Sequence, residues 1–286
     1  MNKINPTVQW VGGKARLLER IHEHLPEEYN TYHELFLGGG SLLLSLKPEK
    51  AFCYELNENL CNLYNIIKTD TEKLILKLKE IETEYLEIDG TTEEGLIKRK
   101  EFYIDIRTKF NEETEIFKKS VYFKFINKTC FNALYRENQK GGFNVPFGKG
   151  RDPTICDEDN INELSKYLNE NDITILPNDF SESLGNIKEG DFVYLDPPYY
   201  PLKENSFTGY TKIGFIKEDH ERLIKFCKHL TDMNVKFMLS NSNCDFIKKS
   251  FQEDPYTIHE MSVARTLNSK KDKRSKTNCE IIVKNY

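Results

Sequence analysis

The chain of 286 residues has no apolar run approaching the length of a membrane span, and its opening residues are polar, unlike a signal peptide. Neither membrane insertion nor export is expected, and a cytoplasmic setting is (the host-cell interior, if the source is viral). Seven cysteines are scattered without a Cys-x-x-Cys pair, which argues against a zinc site and against a disulfide framework. The six histidines show no metal or triad spacing, so no metal is expected. A Gly-rich loop ending in Lys-Ser/Thr is absent, and so is G-x-G-x-x-G, which speaks against a triphosphate P-loop and a dinucleotide fingerprint. An excess of positive charge is missing too. Against 46 acids stand 41 Lys and Arg, a net charge of −5, so any surface for a polyanion must be local.

What is present begins with Asp196-Pro197-Pro198-Tyr199, directly after the apolar run 191–195. A short buried run ending in an acid, two prolines and an aromatic reads as a strand entering a rigid loop. Each proline holds φ at about −65° and offers no N–H, so the loop presents carbonyls, a carboxylate and a ring face. That set suits a flat amino-heterocycle: Asp196 and the Pro197 carbonyl can accept from an exocyclic NH2, and Tyr199 can stack on the ring. An ordinary surface turn has the same four residues available to it.

Gly38-Gly39-Gly40-Ser41 follows Tyr32 to Leu37 and precedes the apolar stretch 42–46. Glycines between a strand and a helix allow a tight turn and close approach of a ligand to the backbone. A strand and a helix later, Glu55 stands where an acid in an open α/β sheet can bind ribose hydroxyls. Together these describe an adenosine-type site without phosphates. The only tryptophan, Trp10, precedes Gly12-Gly13-Lys14 and reads either as a core anchor or as part of a loop facing a ligand.

Leu74, Ile75, Leu78, Ile81 and Tyr85 recur at helical spacing amid charges, a surface helix; Ile116, Phe117, Val121, Phe123 and Phe125 mark a more buried one. Residues 173–176, 191–195, 235–239 and 280–283 read as strands. Strands early and late with helices between predict an α/β, doubly wound sheet interrupted by a helical segment from about 60 to 170.

In order along the chain, Trp10 to Lys14, Phe36 to Gly40, Phe131 to Arg136, Gly142 to Gly148, Asn178 to Phe180, Asp196 to Tyr199, Leu239 to Ser242 and Glu280 to Tyr286 resemble the motifs of Dam-type DNA adenine-N6 methyltransferases of the D12 class. The resemblance covers nearly the whole chain. It implies a Rossmann-like S-adenosylmethionine-dependent methyltransferase sheet formed by residues 1–60 and 171–286, with a mainly helical target-recognition domain at 61–170. It implies S-adenosylmethionine as cofactor and double-stranded DNA as partner, with the protein a monomer or weak dimer. Asp196, Pro197, Pro198 and Tyr199 become the catalytic loop. Trp10 and Lys14 would edge the cofactor pocket, with Asp196 also beside it. Phe36, Gly38, Gly39 and Ser41 would face the methionine portion, Glu55 the ribose, and Asp179 and Phe180 the adenine. By themselves Asp179 and Phe180 equally describe a turn acid and a core ring.

For the target, the resemblance places Phe131 as the aromatic that enters the base stack, followed by Asn132. Arg136 would read a guanine of GATC, and Leu134 and Pro146 would contact thymine; Asn144 and Lys149 complete the DNA-facing set. Core packing for Phe131 and a surface ion pair for Arg136 are the plain alternatives. Two departures bear on the recognition sequence. Gln9 stands where many relatives carry a base-contacting lysine, and Gly148-Lys149-Gly150-Arg151 replaces a segment that often holds an aromatic. The basic run 270–276 reads as a hairpin loop able to meet phosphates. Cytosine C5 chemistry would need a cysteine nucleophile, typically in a Pro-Cys pair, and no such pair occurs in the chain. A cytosine-N4, RNA-adenine or glutamine-N5 methyltransferase, or a silent duplex-binding protein of the same fold, are the competing readings.

Overall fold

A computed structural model of the protein describes residues 3–148, 152–201, 214–262 and 279–286. Its strands are β1 (Tyr32–Glu34), β2 (Lys50–Tyr54), β3 (Asp172–Leu176), β4 (Phe192–Leu195), β5 (Lys236–Ser242), β6 (Thr257–Ser262) and β7 (Cys279–Lys284). They form a seven-stranded sheet in the order β3-β2-β1-β4-β5-β7-β6. Pairing is parallel from β2 through β1 and β4 to β5, and antiparallel at β5–β7 and β7–β6. The four residues of β4 are all buried, as expected of a central parallel strand covered on both faces. Its run of Phe, Val, Tyr and Leu, with no alternation, follows from that position. β1 is also buried throughout although two of its three residues are polar. Their burial is partly compensated: Glu34 accepts from the Tyr32 hydroxyl at 2.8 Å, and His33 Nε2 pairs with Asp191 at 2.9 Å, while His33 Nδ1 has no partner among the described residues.

The helices are α1 (Leu18–His22), α2 (Ser41–Leu46), α3 (Glu58–Thr69), α4 (Thr71–Leu86), α5 (Glu93–Glu112), α6 (Ile116–Thr129), α7 (Glu158–Glu170), α8 (Lys217–Asp232) and α9 (Asp245–Ser250). Two compact units share the chain. One comprises Met1–Gly13, Gly38–Glu49 and Glu55–Pro177, and holds β3 with α2 to α7. Its α4 buries Leu74, Ile75, Leu78, Ile81 and Tyr85, the stripe read from spacing. In α6, Val121, Phe123, Phe125 and Ile126 are buried, whereas Ile116 at its start is exposed. The other unit comprises Lys14–Leu37, Lys50–Tyr54 and Asn178–Tyr286, and holds the remaining six strands with α1, α8 and α9.

Within that second unit the chain runs from β1 to β2 on one side and returns to place β4 on the other side of β1. The order therefore reverses between β1 and β4, and ligands of open α/β sheets bind beyond the strand C-termini at such a point. The segment after β4 is Asp196-Pro197-Pro198-Tyr199.

Candidate active site

The loop after β4 carries an ion pair that neither residue's neighbourhood in sequence announces. Lys14 Nζ lies 2.8 Å from Asp196 Oδ2, with the two side chains only 8% and 16% exposed. The same ammonium sits 4.7 Å from the centroid of the Tyr199 ring, a cation–π contact. Tyr199 in turn donates its hydroxyl to Glu280 Oε2 at 2.7 Å. Burial pushes the Asp196 carboxyl above its usual value; Lys14 opposes the rise, Glu280 adds to it, and the nearby Tyr199 hydroxyl opposes it weakly. Burial, reinforced by Asp196 and Glu280, likewise drives the Tyr199 phenol well above its ordinary value, so it remains a donor.

Asp196 Oδ1 is buried and has no hydrogen-bond partner among the described residues. Buried acceptors of folded proteins are nearly always satisfied, so an orphan oxygen at a strand C-terminus marks a place for an incoming donor. The two prolines that follow keep the loop stiff, and Tyr200 is held from both sides: its N–H donates to Asn241 Oδ1 at 3.0 Å, and its carbonyl accepts from Ser242 Oγ at 2.7 Å.

Asp179 and Phe180 lie in the same unit. Asp179 caps a short 3-10 turn, Phe180–Gly185, accepting from Ser181 N, and takes a bidentate pair from Arg222 at 2.9 and 3.1 Å. Burial tends to raise its carboxyl, but the Ser181 and Arg222 bonds prevail and hold it below the usual aspartate range. Much of its accepting capacity is thus already used. The Phe180 ring is buried against Phe36, Phe215 and Phe226, with the Arg222 guanidinium 4.6 Å from its centroid. Arg222 lies in a helix rich in charge, and nothing in its sequence context singles it out. Phe36, half-buried, joins this aromatic group.

In the first unit the glycine turn has a defined neighbour. Gly38 has φ +50° and Gly40 φ +66°, both in the left-handed region. A Cβ on Gly38 would stand 2.9 Å from Trp10 Cδ1, and one on Gly39 would stand 3.4 Å from Trp10 Cβ. The glycines therefore let the turn close onto the indole, which also packs near Phe123 and Tyr135. Ser41 opens α2 directly after the turn. Glu55 Oε2 accepts the Gly38 N–H at 2.9 Å and Oε1 the Asn57 N–H at 2.8 Å. Burial raises its carboxyl, and these two N–H groups oppose the rise. Each oxygen keeps further acceptor capacity, which fits a pair of ribose hydroxyls.

The segment 130–148 of this unit is an irregular hairpin with bridges at Cys130–Phe147 and Glu137–Phe143. Phe131 stands at its start, 48% exposed, so the core-packing alternative does not apply. Asn132 and Ala133 both have positive φ, at 53° and 51°, an arrangement that costs of order 1–3 kcal/mol per residue and is concentrated at functional sites. Asn132 is exposed and Leu134 half-buried. Arg136 is paired not with an acid but with Asn144, whose side-chain oxygen accepts from Nε at 2.8 Å and whose carbonyl accepts from Nη2 at 3.4 Å. Pro146 is exposed, and its carbonyl accepts from Phe131 N. Gln9 is exposed, with its backbone clamped by Asn127 of α6 through bonds of 3.0 and 2.8 Å. Lys149, Gly150, Arg151 and the basic run 270–276 lie outside the described residues.

The family profile described as "D12 class N6 adenine-specific DNA methyltransferase" matches residues 10–267. The chain belongs to that family. It is therefore an enzyme, an adenine-N6 DNA methyltransferase acting on DNA. It is 39% identical to the Type II methyltransferase M.MjaIII of Methanocaldococcus jannaschii, over 99% of this chain and 100% of that one. Identity to the Type II methyltransferase M1.LlaDCHI of Lactococcus lactis subsp. cremoris is 38%, over 100% and 97%. To the DNA adenine methylase of Vibrio cholerae it is 31%, over 88% and 86%. No helix among the described residues of this methyltransferase is long and apolar enough to cross a membrane.

Proposed function

We propose that the chain transfers a methyl group from S-adenosylmethionine to the N6 atom of an adenine flipped out of duplex DNA, with GATC as its site. The observation that carries this reading is the buried, unpartnered Oδ1 of Asp196 on a proline-stiffened loop beyond β4. S-adenosylmethionine, when bound, supplies an electrophilic methyl on a sulfonium, so the protein need only place the nucleophile. Adenine N6 is a poor one because its lone pair is delocalised into the ring. Asp196 Oδ1 and the Pro197 carbonyl accept its two hydrogens and favour the pyramidal, nucleophilic geometry. Tyr199 stacks on the base, and Lys14 favours the ionised form of Asp196 against the effect of its burial. The catalytic contribution is positioning and preorganised electrostatics.

Glu55 binds the ribose hydroxyls with the acceptor capacity that Gly38 and Asn57 leave free. Trp10, Phe36, Gly38, Gly39 and Ser41 hold the cofactor's remaining surface, and Asp179 and Phe180 its adenine, the former through Oδ2 and the latter through its backbone. Residues 61–170 form the recognition domain. Phe131 fills the stack left by the flipped base, Asn132 assists it, and Arg136, steered by Asn144, reads guanine, with Leu134 and Pro146 against thymine methyls. Gln9 replaces a charged contact by a neutral hydrogen-bonding one. A monomer or weak dimer in the cytoplasm completes the reading.

The test is transfer of labelled methyl from S-adenosylmethionine to unmethylated duplexes holding GATC or a scrambled site. Label in N6-methyladenine on the GATC duplex alone is expected. Label on both keeps the chemistry and overturns the site. Cofactor binding with no label on any DNA overturns the reading in favour of a silent binder or another nucleic acid.

A further inference from the structure

Two sequence motifs, Leu239–Ser242 and Glu280–Tyr286, have no part in the chemistry above, yet the end of the first and the start of the second meet the loop after β4. Their strands are neighbours. In the antiparallel β5–β7 pair, Ser242 stands directly opposite Glu280, and Asn241 opposite Ile281. From those facing positions the two strands reach the same stretch of loop: Glu280 Oε2 accepts the Tyr199 hydroxyl at 2.7 Å, and Ser242 Oγ donates to the Tyr200 carbonyl at 2.7 Å. Asn241, fully buried, accepts from Tyr200 N and Ser242 N through the same oxygen, which ties the loop to the strand as well as the strand to itself.

We infer that Glu280 and Ser242 are positioning residues that hold the Tyr199 ring and the Tyr200 backbone in the one arrangement in which the loop can grip a base. The inference rests on the proposed role of the Asp196–Tyr199 loop. A tyrosine ring hinged only at its Cα–Cβ and Cβ–Cγ bonds keeps two torsions free; a hydrogen bond at the far end of the ring removes that freedom before substrate arrives. The anchor is charge-assisted, donor to carboxylate, and is therefore stronger than a neutral one. Glu280 also acts on Asp196 through space. Among the described residues, Lys14, Glu280, Tyr199 and Tyr194 are the titratable groups that act on that carboxylate, and Glu280 raises its pKa.

The experiment compares Glu280→Ala, Glu280→Gln, Tyr199→Phe and the double variant Tyr199→Phe/Glu280→Ala. Glu280→Ala is expected to lower kcat by at least about tenfold with the KM for S-adenosylmethionine unchanged. Glu280→Gln keeps an acceptor oxygen and is expected to stay within about threefold of the wild-type kcat. It should also move the acid limb of kcat/KM to lower pH, because one negative charge beside Asp196 is gone. Tyr199→Phe retains the ring and loses the anchor, so it should match Glu280→Ala, and the double variant should lose no more than either single. A wild-type kcat in Glu280→Ala, or losses that multiply in the double variant, would overturn the inference. Ring-labelled tyrosine NMR gives a readout apart from activity: the Tyr199 signal should shift in Glu280→Ala and hold in Glu280→Gln. Should the wild type methylate no DNA, the proposed function fails, and the NMR series still decides whether the anchor exists.

Discussion

At the scale of the residue, the proposed chemistry rests on Asp196. One oxygen is committed to Lys14, the other is buried and unpaired, and burial raises the carboxyl above the ordinary aspartate value of 3.8. Only the ionised form presents acceptors on both oxygens. As pH falls through the raised value, a proton occupies the group and the acceptor is lost. The acid limb of kcat/KM is therefore expected above 3.8, read from a pH profile of methyl transfer. Asp196→Asn replaces one oxygen by NH2 and removes the charge opposite Lys14. We expect kcat to fall by at least about a hundredfold while S-adenosylmethionine binding, followed by calorimetry, largely persists. An Asp196→Asn enzyme with near-wild-type turnover would remove Asp196 from the mechanism.

At the scale of the element, the hairpin 130–148 carries the proposed DNA-facing residues on a local segment that leaves some of them outside the core. It exposes Phe131, keeps Asn132 and Ala133 at positive φ, and spends the Arg136 fork on its own Asn144. Because Phe131 is half-exposed, Phe131→Ala should change unfolding free energy by less than about 1 kcal/mol, measured in denaturant. Methylation of a fully paired duplex should nevertheless drop at least about tenfold, and a mismatch opposite the target adenine should restore much of it, since an unpaired base costs less to extrude. Equal losses on paired and mismatched duplexes would mean that Phe131 has no part in base flipping.

At the scale of the whole molecule, a net charge of −5 means that no global field draws this enzyme to DNA, so its contacts with DNA must be local. Stability has its own electrostatic signature. Lys124, in α6, is buried and donates to the Thr7 carbonyl and, at 2.9 Å, to the Thr7 hydroxyl, tying down the segment that leads to Gln9 and Trp10. Burial, with Lys128 adding to it and Asp157 opposing, pushes its ammonium down from 10.5 to about 7. Between those two values the unfolded chain holds a proton that the folded chain lacks, so raising pH favours folding. Denaturant unfolding at stepped pH should show the wild type gaining on Lys124→Met by up to about 1 kcal/mol per pH unit in that window. Parallel pH profiles for the two proteins would refute the buried, depressed lysine.

Sequence alone determined what depends on local pattern and on motif order. The apolar run before Asp196 is β4, the stripe from Leu74 to Tyr85 is α4, and the ordered motifs name the D12 family that the chain joins. These were legible because a strand's burial and a helix's face are written in residues a few positions apart. Tertiary structure alone decided which distant groups meet. Lys14 reaches Asp196, Tyr199 reaches Glu280, Arg222 occupies Asp179, and Gly38 closes on Trp10. Nothing in the spacing of those pairs encodes their contact. It arises from how each compact unit folds back on itself, which brings residues far apart in the chain within bonding distance inside that unit.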